Sequence, residues 1–178
     1  MSCFRLYSAT IKMNQDGSAD VMSSAAEIGQ GIKTAMAQVV AETLGINYED
    51  VNILLADTSA TPEGWGVVAS GGTSSAIPAA WHAAQEVRQK LLNIAAERLG
   101  VKPNELVAKN RMIYVPWKPE KAIPIAEVCL RGYQVTGVAI NPSPDSIIDE
   151  KTGKVMNTYA CVATIAEVEV DTETGQLD

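Results

Sequence analysis

The sequence predicts an α+β fold, a mixed or antiparallel sheet carrying two principal amphipathic helices. Three observations lead there. Residues Phe4 to Met13 alternate and are rich in β-formers, and the turn cluster Asn14-Gln15-Asp16-Gly17-Ser18 follows. Ala19 to Ala26 then resumes an extended pattern, so the stretch reads as a hairpin whose Asp-Gly step makes the turn. Next, two apolar stripes have helical period. Ile32, Met36, Val39, Val40 and Leu44 make the first; Ile77, Ala80, Ala84, Val87, Leu91, Ile94 and Leu99 make the second. Finally, Val51 to Ala56 reads as a short, largely buried strand after the first helix, which gives an α+β or split βαβ unit.

A length of 178 residues allows one domain, or two α+β lobes at about 1–100 and 101–178, with a core that needs no staples. A net charge of −7 and the lack of any basic run argue against a nucleic-acid partner. No apolar stretch approaches the roughly 20 residues of a membrane span, and no signal-peptide pattern opens the chain. A cytoplasmic protein is expected. Cys3, Cys129 and Cys161 are dispersed and odd in number, so neither an iron–sulfur site, a structural zinc nor a disulfide framework is expected. No metal-ligating set is assigned.

Along the chain, Gly45 is placed to end the first helix and Gly100 the second. Asp57 to Ser75 keeps no periodicity; Trp65 and Val67-Val68 suggest that this long segment is ordered and functional. Ser74 or Ser75 is placed to cap the second helix. His82, the sole histidine, falls on that helix's solvated side and is not assigned as a base. Beyond Gly100 come a turn at Val101 to Glu105, a strand at Met112 to Val115, and a short helix within Ile123 to Leu130. A strand follows near Tyr133 to Val138, then a loop from Asn141 to Asp149. Ala160 to Val170 reads as a long strand ending in the turn Asp171 to Gly175, which is expected to return into a further strand of a longer chain.

Two glycine-rich stretches stand out, Glu27-Ile28-Gly29-Gln30-Gly31 and Ala69-Ser70-Gly71-Gly72-Thr73-Ser74-Ser75, each running into a helix. Helix N-termini carry unpaired N–H groups and partial positive charge, and glycine lets a ligand come close. Two such stretches suggest one anionic ligand lying across two helix ends. Glu27 is read as compensating the helix dipole rather than as a catalytic base.

The series Glu-Ile-Gly-Gln-Gly-x-x-Thr at Glu27 to Thr34, Gln38 to Gly45, Asp57-Thr58, Thr61-Pro62, Ala69-Ser70-x-x-Thr73 and Ala166 to Gly175 resembles one family. It is that of the molybdenum-binding subunits of xanthine dehydrogenases and aldehyde oxidases, the molybdenum hydroxylases. The resemblance covers most of the chain and implies a fragment of the large, molybdopterin-binding subunit.

In that case Gly29, Gln30 and Gly31, with Thr34 behind them, would lie against the pterin. Ala69, Ser70, Gly71 and Gly72 would approach through backbone, and Thr73, Ser74 and Ser75 would hold the pterin phosphate or a cytosine dinucleotide extension. The metal would be held by the pterin dithiolene rather than by side chains. Implied partners are the rest of the molybdenum subunit, iron–sulfur and FAD-binding subunits or domains, and a small-molecule substrate. The implied reaction is oxidative hydroxylation of an N-heterocycle or aldehyde.

Two departures follow. Gly71 stands where the family usually has Arg, and the family's general-base glutamate belongs to a motif well downstream, so no residue here is assigned as catalytic. The isolated chain is expected to be inactive and without cofactor. A non-redox phosphate or nucleotide-binding module and a purely structural module are the competing readings.

Overall fold

The computed structural model describes residues 6–68, 71–130, 135–142, 147–148, 155–156 and 163–176. The first hairpin forms as its sequence dictates. Strands β1 (Leu6–Met13) and β2 (Ala19–Ser23) pair antiparallel, with Met13 opposite Ala19. Gly17 takes φ +85° in the turn, and Asn14 N–H donates to the Ser18 carbonyl at 2.8 Å. The chain then enters α1 (Ile32–Leu44), which Gly45 ends at φ +75° while donating to the Ala41 carbonyl at 2.9 Å. β3 (Val51–Leu55) lies parallel to β2, completing the expected βαβ unit.

After the irregular segment beyond β3 comes the 23-residue α2 (Ile77–Leu99), ended by Gly100 in the left-handed region. A single helical turn at Pro103–Glu105 leads into a second, antiparallel sheet of β4 (Val107–Lys109), β5 (Met112–Val115) and β6 (Lys118–Pro124), with the short α3 (Ile125–Cys129) behind it. β7 (Thr136–Pro142) returns to the first sheet and pairs antiparallel with β1, giving the order β3-β2-β1-β7. β8 (Ile147–Ile148) and β9 (Val155–Met156) form a small ladder of their own.

The core lies between the four-stranded sheet and α1 and α2. Tyr7, Ala9, Ile11 and Met13 alternate inward from β1, Ile32, Met36, Val40 and Leu44 meet them from α1, and Val87 and Leu91 from α2. Each fully buried aliphatic side chain of this kind contributes about 1.5–3 kcal/mol of transfer free energy. Alanines at 79, 80, 83 and 84 let α2 sit low on the sheet. The approach is closest at Gly137, where an added Cβ would meet the Ala83 carbonyl and come within 2.9 Å of a Val87 methyl.

Several expectations are corrected. Val51 to Ala56 is not a largely buried strand: β3 is the sheet's edge and its residues alternate between half-buried and exposed. The fourth strand starts at Thr136 and runs to Pro142, into the stretch expected as loop, and Ile147–Ile148 is paired rather than irregular. Within the expected strand at 160–170, the described residues 163–169 join no ladder and are exposed, so no packing holds them in a strand. The Asp171 turn does form, with Gly175 N–H donating to the Asp171 carbonyl at 2.7 Å. Cys129 is a buried free thiol, and burial pushes it up to about 11; Cys3 and Cys161 lie outside the described residues.

Candidate cofactor-binding site

The first glycine stretch is a self-contained loop at the start of α1. Gly29 at φ +97° and Gly31 at φ +77° occupy the left-handed region that side chains avoid, while an added Cβ at either would meet nothing within 4 Å. Here glycine answers a backbone requirement. The Glu27 carboxylate folds over the loop: Oε1 accepts from Gly29 N–H at 2.9 Å and Gly31 N–H at 3.0 Å, and Oε2 accepts from Lys33 N–H at 3.1 Å. Those amide bonds, led by Lys33 and Gly31, hold the carboxyl below its ordinary range.

The expectation of an open anion cradle on this helix is therefore corrected, since the chain's own carboxylate already fills it. The reading of Glu27 as a dipole-compensating acid agrees with the geometry. Gln30 is held within the same loop. Its Oε1 accepts from Ile28 N–H at 2.6 Å and its Nε2 donates to the Ala26 carbonyl at 2.8 Å. Thr34 lies exposed in the first turn of α1.

From Gly71 onward the second stretch is helix rather than loop. Gly71 is already helical at φ −67°, and Gly72–Ala76 forms a wide π turn that runs without a break into α2. Neither Ser74 nor Ser75 caps the helix, because both lie inside this added turn and no side chain caps its start. Nor does any acid lie in that first turn. Thr73 is exposed and Ser75 buried, and Ala69 and Ser70 lie outside the described residues.

Glycine here answers a packing requirement. A Cβ on Gly71 would run into the hydroxyl and ring of Tyr7, which is fully buried below it. No side chain fits at position 71 above that ring, which accounts for glycine where an arginine was expected. A Cβ on Gly72 would stand 3.2 Å from Ile32 Cδ1, 3.3 Å from Val67 Cγ1 and 3.9 Å from Gln30 Nε2. The two stretches thus lie close to one another at Gly72 and Gln30.

Beside them lies a cleft of about 370 Å³, lined by Ser24, Ala26, Ala56, Thr58, Thr61, Pro62, Glu63, Gly64 and Gly66. Its outer wall is the segment after β3, tightened by Asp57. Asp57 Oδ1 accepts from the Ser59 hydroxyl at 2.6 Å and the Ser59 amide at 3.0 Å, which lower its carboxyl. Thr61 closes the turn with its amide and hydroxyl, each donating to the Asp57 carbonyl at 2.7 Å. Ala56, at φ +56°, is a non-glycine residue in the left-handed region. His82 is exposed on α2 and contacts only the Trp81 ring among the described aromatic pairs.

A family model described as a molybdopterin cofactor-binding domain matches residues 3–178. The chain belongs to that family. It is similar to the gamma subunit of the 6-hydroxypseudooxynicotine dehydrogenase complex of Paenarthrobacter nicotinovorans, 30% identical over 93% of this chain and 21% of the relative. The xanthine dehydrogenase molybdenum-binding subunit of Escherichia coli O157:H7 is 37% identical over 65% of the chain and 15% of the relative.

Among solved structures, quinoline 2-oxidoreductase from Pseudomonas putida 86 superposes with a TM-score of 0.72 at 28% identity, over 79% of this chain and 19% of that one. The chain thus spans about a fifth of the length of the relatives it matches end to end. Two of those relatives are subunits by name, one of a dehydrogenase complex and one the molybdenum-binding subunit of a xanthine dehydrogenase. The α+β fold expected for a molybdopterin-binding domain is the fold observed. Among the described residues no helix is long and apolar enough to cross a membrane.

The residues suit a molybdopterin domain in their donor chemistry. Around Gln30, Gly72 and the cleft, the contacting groups are backbone amides and carbonyls, a carboxamide and hydroxyls. Such a set can match the ring donors and acceptors of a pterin.

Proposed function

We propose that this chain is the part of a molybdenum hydroxylase large subunit that grips molybdopterin, in an enzyme performing oxidative hydroxylation of an N-heterocycle or aldehyde. The observation that carries the proposal is the proximity of the two glycine stretches: a Cβ added at Gly72 would stand 3.9 Å from Gln30 Nε2. Gly29, Gln30, Gly31 and Thr34 form one edge of the grip; Ala69, Ser70, Gly71, Gly72, Thr73, Ser74 and Ser75 form the other. Gln30 presents its remaining donor and acceptor to the pterin edge. The turn at Gly72–Ala76 that leads into α2 carries no acidic side chain and receives the phosphate end, bare or as the cytosine dinucleotide.

When bound, the cofactor supplies the two-electron redox chemistry. The residues here orient it and contribute no general base, so the 178-residue chain alone does not turn over. The base, the iron–sulfur and FAD-binding partners and the substrate pocket belong to the remainder of a cytoplasmic complex.

The test is made on the full-length protein. Its purified form is expected to carry molybdenum and release a phosphorylated pterin on denaturation, with Gly31→Val and Gly72→Val each lowering that content at retained helical circular dichroism. Metal-free protein that binds nucleotide would instead support a non-redox phosphate module, and unchanged loading in both variants would leave the stretches as connections only.

A further inference from the structure

Glu27 lies outside α1, yet it makes three hydrogen bonds at the start of that helix, to Gly29, Gly31 and Lys33. It is therefore the group that closes the loop. Two left-handed glycines leave the segment without intrinsic preference for one shape, because glycine visits many conformations at similar energy. One carboxylate bridging amides up to six residues away removes that freedom.

Gln30 sits at the centre of the bridged segment, and its carboxamide is aimed by Ile28 N–H and the Ala26 carbonyl. An amide can offer two N–H donors and two acceptor lone pairs, so one of each stays available beyond these contacts. A Cβ added at Gly72 would stand 3.2 Å from Cδ1 of Ile32, the first residue of α1, and 3.9 Å from Gln30 Nε2.

We infer that Glu27 is the positioning residue of the cofactor grip, its carboxylate taking the Gly29, Gly31 and Lys33 amides for the protein itself and fixing the aim of Gln30. This inference rests on the molybdopterin-binding reading and adds a residue to it. The helix start that looks most like an anion site is closed to the ligand. Its charge is balanced internally, and the edge it offers the ligand is neutral. Removing the carboxylate frees three amides and releases Gln30 together.

The experiment uses the full-length protein, with molybdenum and released pterin counted per subunit and the cofactor's loss followed during dialysis. Glu27→Ala is expected to release cofactor on the order of tenfold faster, the scale on which supporting contacts act on a bound group. Glu27→Gln keeps an acceptor and is expected to fall between the two, which gives an informative variant should the alanine protein fold poorly. The Gln30→Ala exchange supplies the coupling. If Glu27 acts through Gln30, the two losses in Glu27→Ala/Gln30→Ala fall short of their sum on a logarithmic scale.

Retention by Glu27→Ala equal to that of the unaltered protein, or fully additive losses, overturns the positioning role. A wild-type protein without molybdopterin brings down the functional reading instead, a result distinct from either. The visible spectrum of the loaded variants gives a second readout. A shifted spectrum in Glu27→Ala with partial return in Glu27→Gln supports positioning, whereas an unshifted one at reduced thermal midpoint marks a purely structural cap and overturns it.

Discussion

The two glycine stretches look alike as sequence and differ in what they ask of glycine. At Gly29 and Gly31 there is open space and a left-handed backbone; at Gly71 and Gly72 there is an ordinary helical backbone and no space. The first is held by a carboxylate from its own chain, while the second starts a helix that no side chain caps. The lesson is that one composition can serve conformational freedom in one place and close approach in another. Only the φ angle and the neighbouring atoms tell them apart.

The largest effect is expected where approach is tightest. Gly71→Arg puts a side chain into the Tyr7 ring and should cost about 3 kcal/mol, the upper end of core overpacking. Thermal unfolding of the full-length protein measures it, and Tyr7→Ala in the same background should recover part of the loss. A variant as stable as the parent would show that position 71 is not confined.

Gly31→Ala probes the opposite cause. No clash awaits the methyl, so the cost should be that of a left-handed residue alone, about 1–2 kcal/mol. Gly31→Asn should cost less, because asparagine tolerates that region. Equal penalties for the two would point to a contact rather than to φ.

A smaller effect follows from pH. Glu27 is depressed below its ordinary value, so the stabilisation it gives the loop is complete above the unfolded-state carboxylate pKa and fades as pH falls through the lower folded-state value. Hydrogen exchange at the Gly29 and Gly31 amides should become less protected on acidification through that window, and Glu27→Gln should flatten the dependence. The smallest change is expected for Tyr7→Phe. It removes a buried hydroxyl that has no hydrogen-bond partner among the described residues, so unfolding should be unchanged or slightly delayed. A clear loss would reveal a partner for that hydroxyl.

Much of the fold was legible because local chemistry and tertiary packing agree. The Asp16-Gly17 turn, the stripe from Ile32 to Leu44 and the stops at Gly45 and Gly100 each carry their signal in adjacent residues. The β4–β5 hairpin hid itself: its turn residues Asn110 and Arg111 both take positive φ, and Arg replaces the glycine that normally announces such a turn. β6 escaped notice because Lys118, Glu120 and Lys121 face solvent and leave no apolar alternation.

At the site, the sequence located both glycine stretches and the acid ahead of the first. It missed that Gly71 to Ser75 is helical, since glycine and serine are poor helix formers and only packing against Tyr7, Ile32 and Val67 selects that conformation. Glu27's reach to Lys33 was equally hidden, as it depends on two left-handed residues between them.

The return of β7 to β1 has a bearing on how the protein is made. On the ribosome, β1 emerges well before β7, its neighbour on one side, which arrives only after both long helices and the second sheet have been synthesised. Until then that side of β1 and the low-lying alanine face of α2 await cover. Long-range strand pairing of this kind is slow to form, so the addition of β7 is set by the order of translation as much as by the strength of the ladder.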